Sequence, residues 1–172
     1  MQSIFYSMLS SHICVLITFL IVYQSYSIDA ETFYKDCGSR GGQLNSLMVS
    51  GCDMKPAKSR SAVSDRCSFI RGSNVTLFAT FTPEVDSANA TVKVYGTLVV
   101  PIPFYIEPDA CKAWGTKCPL AKGIKNTLNI TLPIRTEYPS VSVGVKLILN
   151  DGNEKPVFCT FFPAVIEEKK AS

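Results

Sequence analysis

Four segments of this chain alternate apolar and polar residues with a period of two, the rhythm of extended backbone and not the 3.6 of a helix. From Asn74 to Phe81, Val75, Leu77, Ala79 and Phe81 share one face, and Asn74, Thr76, Phe78 and Thr80 share the other. From Thr91 to Val100 the apolar set is Val92, Val94, Gly96, Leu98 and Val100, with Lys93 and Thr97 opposite. Leu128, Ile130, Leu132 and Ile134 alternate with Asn129 and Thr131. Val141, Val143, Val145, Leu147 and Leu149 alternate with Ser142, Gly144 and Lys146. Each pattern describes a half-buried strand whose apolar face needs a cover.

Asn150-Asp151-Gly152-Asn153 follows the last of these, and its Asp-Gly step favours the positive φ angles of a tight hairpin. Val157 to Phe162 reads as the returning strand. With Thr32 to Cys37 and Leu44 to Val49, the total reaches about seven strands between Gly, Pro, Asn and Ser clusters, and no segment has helical spacing. Short antiparallel strands with one apolar face bury themselves most simply as two packed sheets. The expected fold class is therefore all-β, an immunoglobulin-like β-sandwich.

The N-terminus stands apart from that pattern. Ile13 to Val22 is an apolar run of about ten residues, and no charged residue occurs from Met1 to Ser27. A bilayer core requires roughly 20 residues, so the run suits a secretory signal peptide ending at Ser25-Tyr26-Ser27. Residues 1–27 are read as that leader and 28–172 as one domain of about 145 residues, within the usual size of a single core. The n-region has no Lys or Arg, which keeps an uncleaved anchor as the alternative.

Of the seven cysteines, Cys14 lies in the leader, leaving Cys37, Cys52, Cys67, Cys111, Cys118 and Cys159. An even set behind a signal peptide implies three disulfides. Spacing alone permits many pairings, although Cys111 and Cys118 bracket a short loop suited to a local bridge. A metal site does not fit cysteines with no CxxC pair and no histidine beyond His12. Asn74-Val75-Thr76, Asn89-Ala90-Thr91 and Asn129-Ile130-Thr131 are glycosylation sequons, which suit the same secretory route. The chain is therefore expected in the extracellular space or the lysosomal lumen.

The net charge of +3 is mild and its cations are scattered, so nothing calls for nucleic acid. Lys93, Lys146 and Arg135 read as solvated, and the basic end Lys169-Lys170 is balanced by Glu167-Glu168. Without a mature histidine, histidine-based triads and most zinc hydrolases are unavailable. The carboxylate pairs Glu84 with Asp86 and Glu107 with Asp109 sit in proline-containing turns, where turn chemistry explains them. The expectation is a protein that is not an enzyme and needs no cofactor.

Leu98 to Ile106 is continuously apolar and broken by Pro101 and Pro103, which lack amide donors. Such a stretch leaves a sheet or lies at its edge. Val100, Ile102, Phe104 and Tyr105 would then form the rim of a pocket between the sheets. The plainer alternative is that they close one end of a filled core.

Five ordered motifs add a family likeness over essentially the whole mature chain. They are Lys35-Asp36-Cys37-Gly38-Ser39, then Pro101-Ile102-Pro103-Phe104 with Glu107-Pro108-Asp109-Ala110-Cys111, Cys118-Pro119, Leu132-Pro133-Ile134 and Glu137-Tyr138-Pro139-Ser140. In this order they resemble the ML lipid-recognition family, which includes the soluble Niemann-Pick type C sterol-transfer proteins and the group 2 mite allergens. The resemblance implies bridges Cys37–Cys159, Cys52–Cys67 and Cys111–Cys118. It also implies an apolar tunnel with Phe104, Ile134 and Tyr138 near its mouth. Two departures stand out. Asp53 to Arg66 is a long polar and basic insertion, read as a tolerated surface loop, with a partner contact or a membrane contact as the alternatives. After Cys159, Thr160-Phe161-Phe162-Pro163 replaces a tryptophan common in relatives, which would alter the pocket shape.

The function expected from this likeness is a monomeric carrier of a sterol, or another apolar lipid, that exchanges cargo with a membrane or a membrane-bound acceptor. The alternatives are an accessory protein presenting a different lipid to a receptor, and a binding module with no small ligand.

Overall fold

The computed structural model describes residues 33–52 and 67–169. The expected leader and the Asp53 to Arg66 loop lie outside the described residues. Within them the strands are β1 (Lys35–Asp36), β2 (Gly42–Val49), β3 (Cys67–Ile70), β4 (Ser73–Pro83), β5 (Ala90–Thr97), β6 (Pro101–Pro103), β7 (Asn126–Ile134), β8 (Val141–Asp151) and β9 (Pro156–Glu167). One short helix, α1 (Ala110–Ala113), precedes β7.

The strands form two sheets. One has the order β1-β9-β8-β5-β6 with β3 also paired to β9; the other has the order β2-β4-β7. Period-two alternation becomes register: Val75 lies opposite Leu132, Leu77 opposite Ile130 and Ala79 opposite Leu128. In the larger sheet Val92 faces Leu149, Val94 faces Leu147 and Gly96 faces Val145. Residues paired this way share a face, so each sheet presents one continuous apolar surface. Between them Phe69, Phe81, Phe158, Phe162, Leu128, Ile130, Leu132, Leu147 and Leu149 lose all contact with water. Each such side chain stabilises the fold by about 1.5–3 kcal/mol relative to exposure.

Three disulfides staple this sandwich: Cys37–Cys159, Cys52–Cys67 and Cys111–Cys118. The first fixes the chain just beyond β1 to β9. The second ties the residue three past the end of β2 to β3, so it joins the smaller sheet to the larger. The third closes the segment that follows α1. Among the described residues the buried polar side chains are satisfied: Asn126 accepts from the Lys117 amide at 3.0 Å and donates to its carbonyl at 2.7 Å, and the Thr116 hydroxyl donates to the Thr127 carbonyl at 3.0 Å.

The fold departs from the sequence expectations in four places. β3 was not anticipated, and it pairs parallel to β9, with Cys67 opposite Ala164 and Ile70 opposite Glu167. The long β9 has room for this, because β1 occupies its free edge only at Thr160 and Phe161. β5 ends at Thr97 and not Val100: Thr97 pairs with Pro101, so Leu98, Val99 and Val100 form the tip of a hairpin. α1 is a single turn, too short for periodicity to reveal, started by the Asp109 carboxylate accepting from the Cys111 and Lys112 amides at 3.1 Å. Finally, the β8–β9 connection is a hairpin but not a two-residue one. The Asp151 amide donates to the Lys155 carbonyl at 2.9 Å, the Asp151 carboxylate accepts from Asn153 and Lys155, and positive φ falls on Glu154 and not on Gly152.

Candidate functional site

The expectation that Pro101 and Pro103 hold their strand at an edge matches the position of β6, the last strand of its sheet. Of its three residues only Ile102 retains an amide donor, so the strand attaches to β5 by a minimal ladder. Past Pro103 the chain turns inward, and the Phe104 amide donates to the Val94 carbonyl at 2.8 Å. The ring then lies over Gly96, where a Cβ would stand 3.3 Å from Phe104 Cε2. Glycine at 96 is what lets the ring approach the strand so closely.

Opposite this hairpin runs the connection from β7 to β8, which carries Tyr138 and Pro139. The Tyr138 ring meets Phe104 edge to face, with centroids 5.9 Å apart and planes at 82°. Pairs in this geometry attract by about 0.5–1.5 kcal/mol beyond their area. The two rings form part of the lining of a pocket, together with Gly96, Leu98, Ile102, Pro103, Pro139, Val141, Val143 and Ile166, with a cavity volume of about 80 Å³. The Tyr138 hydroxyl is the one polar side-chain group on that lining. The site can exclude water and receive an apolar group; it offers no pair of groups for acid-base chemistry.

The outer lip of the pocket is apolar as well as exposed. Relative exposures are 44% for Leu98, 96% for Val99, 61% for Val100, 54% for Ile102 and 79% for Tyr105. Single exposed apolar residues are ordinary, but a contiguous group around an opening marks an interaction surface.

The structure brings Phe104, Tyr138 and Ile102 together on the lining. Val100 lies outside it, on the lip. Ile134, expected near the mouth, is only 1% exposed and packs in the core at the end of β7, opposite Ser73. It shares the inward phase of Leu128, Ile130 and Leu132 and is not among the residues that line the pocket. Sequence reasoning did not single out Leu98, Pro139, Val143 or Ile166. Val143 was nevertheless visible as an inward position of its strand, and Pro139 adjoins Tyr138.

Asn74, Asn89 and Asn129 are all exposed. The acidic pairs serve turns: an Asp86 carboxylate oxygen accepts from the Lys122 amide at 2.9 Å, and Glu107 accepts from the Asp109 amide at 3.3 Å. Asp109 is held below the usual carboxylate range, chiefly by the Lys112 amide, with the Lys112 ammonium and the Cys111 amide adding to it against partial desolvation. Among the described residues no three His, Cys, Asp or Glu side chains converge as a metal site, and no helix is long and apolar enough to cross a membrane.

Known proteins share this architecture. An ecdysteroid-regulated 16 kDa protein of Manduca sexta is 38% identical over 136 residues, covering 78% of this chain and 88% of that one. The NPC intracellular cholesterol transporter 2 of Bos taurus is 33% identical over 154 residues, covering 88% and 96%. The crystal structure of a Niemann-Pick type C2 protein from the Japanese carpenter ant superposes with a TM-score of 0.68 at 32% identity, over 78% of this chain and 98% of that one. The ML domain model matches residues 31–166. With a model that spans most of its length and relatives this similar, the chain belongs to the ML domain family.

Proposed function

We propose that the protein is a carrier that holds a sterol between its sheets, entering past Phe104 and Tyr138, and exchanges it with membranes across the apolar lip. The observation that carries this reading is the coincidence of an uncharged pocket with an exposed apolar rim at one edge of the sandwich. Similarity to a protein named as a cholesterol transporter supports the choice of a sterol. Catalysis has no place in this reading, because the lining offers shape, apolar surface and the single Tyr138 hydroxyl. Residues 1–27 leave as a signal peptide, and the mature chain works outside the cell or in the lysosomal lumen.

The cavity of about 80 Å³ is smaller than the roughly 300–1,000 Å³ of ordinary ligand sites. Binding therefore requires the pocket to widen. The Phe104 and Tyr138 rings must part, and the hairpin tip, attached through a three-residue edge strand, is the wall with least to lose. Burying on the order of 400 Å² of rigid sterol would favour the complex by roughly 10 kcal/mol at 25 cal/mol/Å². Association costs of about 4–15 kcal/mol are lowest for a rigid guest, which leaves micromolar or tighter affinity within reach.

The small volume also favours the competing reading, a filled sandwich with no small ligand. Organic extraction and mass spectrometry of protein purified from its secretory route decide between them. Recovered sterol at near one per chain supports the carrier; recovered acyl lipid points to lipid presentation; a lipid-free protein that takes up no sterol from vesicles excludes both.

A further inference from the structure

The two walls of the pocket are held very differently. The hairpin wall rests on β6, where two of three residues lack an amide donor. The opposite wall, Thr136 to Pro139, is tied down by a residue outside the pocket. Arg71 Nη1 donates to the Tyr138 carbonyl at 3.1 Å and to the Thr136 carbonyl at 3.3 Å. Its Nη2 pairs with the Glu168 carboxylate just beyond β9.

The backbone beneath is fixed at the same point. The Arg71 amide donates to the Glu167 carbonyl at 2.9 Å, and the Gly72 amide to the Ile134 carbonyl at 2.7 Å. Gly72 has φ +76°, and a Cβ there would stand 3.3 Å from Thr136 Cγ2. The turn between β3 and β4 is thus fitted against the β7–β8 connection. Arg71 itself is 23% exposed while Glu168 is 73% exposed, so the ion pair is a surface one of small intrinsic strength. Its geometric effect is larger, because a guanidinium is a rigid fork: one arm held by Glu168 leaves the other aimed at the two carbonyls.

Resting on the carrier reading above, we infer that Arg71, oriented by Glu168, is a positioning residue that pins the Tyr138 wall and sets how fast a ligand enters and leaves. With Arg71 in place only the hairpin wall yields. Without it both walls move, and the barrier to passage falls in each direction while the contacts of the bound state stay the same.

Stopped-flow uptake and release of dehydroergosterol, with phosphatidylcholine vesicles as donor and acceptor, tests this in the whole mature protein. Arg71→Gln is expected to raise both rates about tenfold, the scale of one charge-assisted hydrogen bond, with the equilibrium constant changing less than about threefold. Arg71→Lys keeps a cation that can donate to a carbonyl but loses the fork that Glu168 orients, so it is expected to recover the parent rates only in part. A purely structural role would instead raise release, lower affinity and resist rescue by lysine. Parent-like rates in Arg71→Gln overturn the inference. Should that variant fail to fold, Glu168→Gln decides through a smaller increase in both rates, or none.

If the parent protein takes up no sterol, the carrier reading is the one that falls. The latch is then judged by hydrogen exchange at the Tyr138 amide, which bonds to the Arg135 carbonyl at 3.3 Å. Faster exchange in Arg71→Gln supports the pinning of this wall, and unchanged exchange overturns it.

Discussion

Val99 separates the work of the lip from the stability of the fold. It is 96% exposed at the tip of the β5–β6 hairpin, so replacing it removes almost no contact within the protein. Surface changes of this kind stay within about 0.5 kcal/mol of the parent stability. On a membrane the same side chain would leave water, and full burial of a valine is worth about 1.5 kcal/mol at the low end of the apolar range. Each 1.4 kcal/mol is a factor of ten in an equilibrium, so Val99→Asp should weaken vesicle association by at least about tenfold, with the carboxylate adding a further penalty. Residue 99 lies off the pocket lining, so on the proposed reading affinity for sterol in solution should match the parent. Flotation with neutral phosphatidylcholine vesicles measures the first quantity, a sterol titration the second and thermal unfolding the control. Unchanged flotation and unchanged transfer rate, with the fold intact, would refute the assignment of the lip as the membrane contact.

Phe104→Ala and Tyr138→Ala each remove one half of the ring pair and should weaken sterol binding by roughly tenfold, about 1–2 kcal/mol of lost contact, while the half-buried positions spare the fold. Titration with dehydroergosterol and circular dichroism check both parts. Cys37 and Cys159 are separated by 122 residues and Cys111 and Cys118 by 7, so chain entropy ranks their removal at about 5 and about 2.4 kcal/mol. Urea unfolding of the paired serine variants tests the ranking, which fails if the local bridge matters as much as the distant one. Asp109 has a depressed pKa in the folded state, so its contribution is present above the ordinary carboxylate value and disappears as pH falls through the lower, folded one. Asp109→Asn should flatten the acid limb of the stability curve below about pH 4, measured by unfolding at stepped pH. The sole histidine is His12 in the expected leader, so sterol affinity should hold constant between about pH 5 and 7; a tenfold change there would reveal a titrating group in the site.

The sandwich was legible because its strands are amphipathic: Val75, Leu77, Ala79 and Phe81 declare their inner face with no help from partners. β3 lacked that signal. Its four residues include Ser68, and what makes it a strand is the open edge of β9, a tertiary fact absent from local sequence. The same limit hid the hairpin tip. Leu98, Val99 and Val100 continue an apolar run, and only the pairing of Thr97 with Pro101 turns them outward. At the site, Phe104 and Tyr138 are reachable through motifs and Ile102 through the rim argument, whereas Ile134, reached through a motif as well, faces inward in phase with its strand and lies off the pocket lining. Arg71 is not legible in the sequence, since a lone cation beside a glycine carries no mark of the carbonyls it meets.

A crystal structure of the mature protein grown with dehydroergosterol bears most directly on the carrier. The expected density is a sterol lodged between the sheets behind residues 104 and 138, with the two rings parted and the cavity enlarged from about 80 Å³ to several hundred. A sterol lodged elsewhere, or a pocket still closed at saturating sterol, would contradict it.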